Sequence, residues 1–152
     1  MEFLAQIHSK LVHFPLAFLM LYPIIELLFL VTKNDFYNKV AFLFLSIGVI
    51  GSFFAVLSGN QAFKLVSNWQ GESMAIFNSH QTFANFTVWF FTALLILRYV
   101  FFIKKKLTKV VVILLFISSL AGSYFVFQTG LYGGKLSKTA VINSTIDSGS
   151  NK

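Results

Sequence analysis

Three histidines, one buried-looking acid and a single arginine carry most of the chemistry this chain of 152 residues can offer. His8 and His13 sit in Ile7-His-Ser-Lys-Leu-Val-His-Phe-Pro15, at the mouth of a long apolar run, and His80 precedes another. An imidazole ring at a membrane boundary needs hydrogen-bond partners, and it is the commonest metal ligand. Two histidines on facing helices of a four-helix bundle can take both axial positions of a b-type haem. All three together would suit copper, iron or zinc. The plainer alternative is interfacial histidines bonded to backbone or water. The chain has no Cys, which excludes disulfides, thiolate metal sites and covalent c-type haem attachment. No nucleophile with a base, phosphate loop or carboxylate pair is present, so no catalytic residue is named and independent catalysis is not expected.

The elements that must position these residues are transmembrane helices. The chain is 57% hydrophobic and 11% charged, with twenty Phe. A soluble domain carries about a quarter charged residues. Apolar runs at about 11–31, 40–57, 83–103 and 110–127 each approach the roughly 20 residues a helix needs to cross the hydrocarbon core. The expected fold is an all-α membrane protein with a four-helix domain over 1–134 and a polar, outward-facing tail over 135–152. The first run is too long for a cleavable signal and has no basic leader. The net charge of +7 is concentrated in short turns beside apolar runs: Lys33 and Lys39 in the first, Lys104, Lys105, Lys106 and Lys109 in the last. That placement reads as an orientation signal and not as a nucleic-acid surface. Both turns are expected in the cytoplasm of a bacterium, with both termini and all three histidines on the periplasmic side of the inner membrane. Between the hairpins, Ala62 to Trp69 is expected to lie in the interface, with Trp69 as anchor, Gly71 as breaker and Ser73 as N-cap of the third helix.

The chain also repeats. Gly51-Ser-Phe-Phe-Ala-Val-Leu-Ser-Gly59 matches Gly122-Ser-Tyr-Phe-Val-Phe-Gln-Thr-Gly130 at an offset of 71, and the odd helices align at 72. The alignment pairs His8 with His80, His13 with Asn85, Phe14 with Phe86, and Glu26 with Arg98. Two helical hairpins related by a pseudo-two-fold along the membrane normal follow from this. Glu26 and Arg98 would then share a depth, where an isolated charge is expensive, and are expected to form an intramembrane ion pair. Small residues at four-residue spacing on the even helices (Gly48 and Ser52, Ser118 and Gly122) allow close helix approach or room for a flat cofactor.

Val12-His-Phe-Pro-Leu-Ala17, Glu26, Gly59, His80, Arg98 and Gly130-Leu-Tyr-Gly-Gly-Lys-Leu136 together resemble a family of predicted four-helix bacterial membrane proteins of unknown function. The resemblance spans about residues 7–136. It implies a redox setting, because members occur beside or fused to c-type cytochrome domains. Two departures imply an altered site: Ser9 follows His8 where the family has Pro, and Ser-Lys-Thr follows Leu136 where a further His is frequent. The expected function is an electron-transfer subunit holding b-type haem through His80 with His8 or His13, walled by Phe14 and Phe86. Its expected partners are the lipid bilayer and a periplasmic c-type cytochrome or respiratory complex. The alternatives are a non-catalytic subunit of a larger assembly and, third, a small transporter. A five-residue step turns about 140° round a helix, so His8 and His13 should not both reach one iron.

Overall fold

The computed structural model describes the backbone of residues 2–65 and 71–149, and side chains over 7–64 and 71–139. The described residues form five α-helices: α1 Glu2–Leu11, α2 His13–Thr32, α3 Asp35–Leu65, α4 Glu72–Ile103 and α5 Lys109–Gly149. Four stretches, Ile7–Thr32, Asp35–Lys64, Glu72–Ile103 and Lys109–Thr139, are long and apolar enough to cross a membrane. This is an all-α four-helix membrane protein.

The first spanning stretch is α1 and α2 together. They part at Val12, whose backbone stays right-handed helical (φ −65°, ψ −25°), so α2 follows directly on α1. Pro15 causes the break: it has no N–H to give the Leu11 carbonyl one turn back, and its ring crowds that carbonyl. Pro23, inside α2, removes a second such donor without ending the helix.

The helices overrun the apolar stretches read from the sequence. A helix satisfies its own backbone hydrogen bonds, so nothing forces it to end where the hydrocarbon ends. In particular α5 passes the end of the fourth apolar run at about 127 and continues as helix into the polar segment that begins at Lys135, to Gly149. Gly130, Gly133 and Gly134 do not break it. Tyr132 stacks on Phe83 of α4 (5.6 Å between ring centroids), and Lys135 lies over the Tyr132 ring (5.1 Å). Likewise α3 absorbs the first part of the expected interfacial segment, up to Leu65, while Trp69 lies outside the described residues. The N-cap of α4 is Gly71 and not Ser73: at φ 55° and ψ −123° it occupies a region that favours glycine, and the helix begins at the next residue.

α2 packs mainly on α3 and α4 mainly on α5, with further contact between α2 and α5 and between α3 and α4. The spanning helices therefore run α2–α3–α4–α5 around the bundle, placing α2 and α4 on a diagonal. A pseudo-two-fold along the bundle exchanges the two hairpins. Equivalent residues of α2 and α4 plug into glycines of the partner helix: Leu19 fills the space at Gly48, where a Cβ would lie 2.5 Å from its side chain, and Phe91 fills that at Gly122, at 2.6 Å. By the repeat, Leu19 on Gly48 corresponds to Phe91 on Ser119. The larger ring takes the glycine three residues further on, so α4 sits about one turn along α5 relative to α2 on α3. Leu19, Tyr22, Leu45, Phe91, Leu94, Leu115 and Val126 make the core.

Candidate histidine site and the buried arginine

His8 stands on α1, which leans on the far half of α3. Its Nδ1 is 2.8 Å from the Ser58 hydroxyl oxygen. The one proton of that hydroxyl is given to the Ala55 carbonyl (3.0 Å), so Ser58 accepts and His8 Nδ1 donates. On the other hairpin, His80 Nδ1 lies 3.0 Å from the Thr129 carbonyl oxygen, which can only accept. Ser58 and Thr129 are equivalent in the repeat. Each neutral ring is thereby fixed with its proton on Nδ1 and its lone pair on Nε2, and Nε2 of neither ring has a hydrogen-bond partner among the described residues. Metal-ligating histidines are commonly held in this way, with the non-ligating nitrogen donating to an oxygen.

Glycines let both rings lie against a helix backbone. A Cβ at Gly59 would come within 3.0 Å of His8 Cε1, and one at Gly133 within 3.2 Å of His80 Cε1. The repeat equates Gly59 with Gly130, but His80 meets Gly133, the same one-turn slide found in the core. His8, and not His13, is the ring whose setting matches that of His80: each donates from Nδ1 to an oxygen of repeat-equivalent Ser58 or Thr129 and lies against a glycine.

His13 lies apart. It is exposed, and its Nδ1 donates to the Ser9 carbonyl at 2.6 Å. Among the described residues no three of His, Asp and Glu come together as metal ligands, so the three-histidine site is not assembled. The turn of about 140° between residues five apart explains this, and Val12 does not undo it. Asn85, the repeat partner of His13, is exposed too. Phe14 and Phe86 are 69% and 56% exposed, stacked on Phe18 (6.5 Å) and Phe125 (5.8 Å). They stand on the outside of the bundle and do not wall a cofactor enclosed within it. A ring six residues beyond the histidine is carried about 240° round the helix.

At the opposite end, Glu26 and Arg98 are fully buried and paired through Arg98 Nη1 and Glu26 Oε2. Arg98 Nη2 donates to the Asn38 carbonyl (3.2 Å) and to its side-chain Oδ1 (2.9 Å), and Nη1 also reaches the Tyr22 hydroxyl at 3.5 Å. The guanidinium thus ties α2, α3 and α4 across the diagonal. Glu26 Oε1 and Arg98 Nε have no hydrogen-bond partner among the described residues. An arginine suits this position because its planar fork meets several acceptors at once.

The sequence alone assigns no site role to Ser58, Thr129 or Asn38, and Gly133 enters only as part of the Gly-Gly ending. The repeat contained a signal for the first two, a hydroxyl immediately before Gly59 and Gly130 in both blocks. Asn38 had none beyond being polar near a helix start.

No curated protein and no solved structure matches the chain. A family model described as a predicted membrane protein matches residues 5–145, a range that takes in the three histidines, the ion pair and the whole of all four spanning stretches. The chain belongs to the DUF2231 family of predicted membrane proteins.

Proposed function

We propose that the protein is an integral membrane electron-transfer subunit that holds a b-type haem through His8 and His80. One observation carries this reading: repeat-equivalent histidines on two hairpins are each fixed by Ser58 or Thr129 as the Nδ1–H tautomer, leaving both Nε2 lone pairs for an axial ligand. Ligation needs that tautomer, and an oxygen acceptor on Nδ1 also raises the basicity of Nε2. The glycines at 59 and 133 fit the same purpose by bringing each ring against a helix backbone. The group itself would supply a one-electron couple. The lysine-rich turns support a histidine end on the periplasmic side of a bacterial inner membrane, where a c-type cytochrome would be the fitting electron partner.

The test is the visible spectrum of protein purified in detergent after expression with haem supplied, oxidised and then dithionite-reduced. A Soret band is expected, lost in His8→Ala and in His80→Ala and kept in His13→Ala. Absence of the band, or its survival in both of the first two variants, removes the proposal. A second reading, a non-catalytic subunit of a larger assembly, rests on Phe14 and Phe86, two large rings at equivalent positions facing outward from both hairpins. It is what a protein without the band would leave standing.

A further inference from the structure

The two short turns at the arginine end are equivalent in the repeat but differ in charge. In the α2–α3 turn, Asp35 stands in the first turn of α3, where a negative charge suits the positive end of the helix. It also pairs with Lys39 at 3.0 Å. At the offset of 71, Asp35 corresponds to Lys106. The α4–α5 turn thus carries Lys104, Lys105, Lys106 and Lys109, all exposed, and the first turn of α5 has no acid. Lys109 opens α5, at the helix end where a cation is least welcome.

The chain has no anion to spare for these lysines. Of its five acids, Glu26 is taken by Arg98 and Asp35 by Lys39. Glu2, Glu72 and Asp147 lie toward the far ends of α1, α4 and α5. Among the described residues none of the four lysines pairs with a carboxylate. The turn is nevertheless well tied. Leu107 packs back against the core. The backbone N–H groups of Lys104, Lys105 and Lys106 donate to the carbonyls of Val100, Phe102 and Phe101 at 3.1, 3.0 and 2.9 Å. Four like charges are therefore held together, and the charge that neutralises them has to come from outside the chain.

Position narrows the choice. The third spanning stretch ends at Ile103 and the fourth begins at Lys109, so the lysines lie at the membrane boundary, where lipid phosphates are found. Ile103 and Val110, which flank them, are exposed apolar side chains. Cations beside an apolar surface complement a lipid whose negative headgroup caps its acyl chains. A lysine cluster directly beyond a spanning helix attracts such lipids. We infer that the α4–α5 turn is a binding site for an anionic phospholipid, its headgroup phosphate held by Lys104, Lys105, Lys106 and Lys109. The site lies at the opposite end of the bundle from His8 and His80 and does not depend on what they hold.

The experiment titrates detergent-purified full-length protein with dioleoylphosphatidylglycerol and, separately, dioleoylphosphatidylcholine in mixed micelles, following binding by thermophoresis. Phosphatidylglycerol should bind about fivefold more tightly or better, and the preference should shrink in salt, because the lysines are exposed. Exchanging all four lysines for Gln should bring the two affinities within about twofold of each other. Lys33→Gln with Lys39→Gln, in the turn that has its own acid, should leave most of the preference. Lys106→Asp gives the α4–α5 turn the acid its counterpart has. It should by itself cut the preference at least by about half, with an unchanged melt, and it decides the matter if the fourfold variant does not fold. Sodium phosphate should release the lipid no more than sodium chloride of equal ionic strength. A wild-type preference in either variant of the α4–α5 turn, an equal loss in the Lys33 and Lys39 variant, or specific release by phosphate overturns the inference. So does equal affinity of the native protein for the two lipids, which would leave the lysines to an acidic protein surface.

Discussion

The two ends of the bundle treat buried polar groups differently. At the arginine end they bind one another: Arg98 holds Glu26, Asn38 and Tyr22, and among the described residues only Glu26 Oε1 and Arg98 Nε are left over. At the histidine end, His8 and His80 each use one nitrogen on the protein and keep the other open. A closed network fixes the relation of helices and has little left for a ligand. Rings anchored at one atom and open at another are prepared to bind something. The contrast makes the charged pair a structural tie and leaves the histidine end as the candidate site, although by residue type alone the charged pair looks the more exotic.

Breaking the closed end should have the largest effect. Arg98→Ala leaves Glu26 as an uncompensated buried charge and should lower stability by about 3 kcal/mol or more, read as loss of folded protein in a thermal melt in detergent. The double exchange Glu26→Arg with Arg98→Glu should recover part of this, because opposite charges still meet, but not all, because Asn38 then faces a carboxylate. Full recovery would show that Asn38 adds nothing; none would show that the pair is more than a pair.

Overpacking the middle comes next. Gly122→Ala would place a methyl within 2.6 Å of Phe91 and 2.9 Å of Phe90, on the rings of two packed side chains. A loss of about 1–3 kcal/mol is expected, with both ends affected alike. Gly48→Ala should be milder, since its closest neighbour is the flexible end of Leu19. Equal losses at the two glycines would argue against the one-turn slide between the hairpins.

At the open end the expected signature is inverted, with ligand affinity lost and stability kept. Ser58→Ala removes one acceptor of the His8 Nδ1 proton and leaves the Ala55 carbonyl beside it; on the proposed haem reading it should weaken haem retention severalfold while leaving the melt near wild type. A melt displaced as far as that of Arg98→Ala would cancel the distinction between the ends. Smallest of all, Lys39→Ala breaks the exposed pair with Asp35 (3.0 Å) and should shift stability by no more than about 0.5 kcal/mol, fading further in salt.

Several residues show how far the sequence could be read. The His8–His80 relation and the shared depth of Glu26 and Arg98 were visible because both follow from register along helices of known rise, and the internal repeat supplied the alignment. The outward direction of Phe14 and Phe86 was not visible in the sequence: both rings stand on the outside of the bundle. The direction of a ring depends on how its helix is rotated against its neighbours. The repeat pointed to Gly130 as the counterpart of Gly59, but the size of Phe91 shifts the contact to Gly133. Asn38 enters the arginine network only because the start of α3 passes beside α4.

By itself the sequence determined four spanning helices, their pairing into two related hairpins, and the separation of histidines from arginine by the length of a bilayer-crossing helix. These are sums and periods taken along one chain, and hydrocarbon enforces them whatever the partners are. Only the tertiary structure decided which histidine accompanies His80, which nitrogen of each ring holds the proton, and what satisfies Arg98. Each of those depends on an atom from another helix, on Ser58, Thr129, Asn38 or a glycine admitting a ring, and such meetings are set by packing between helices.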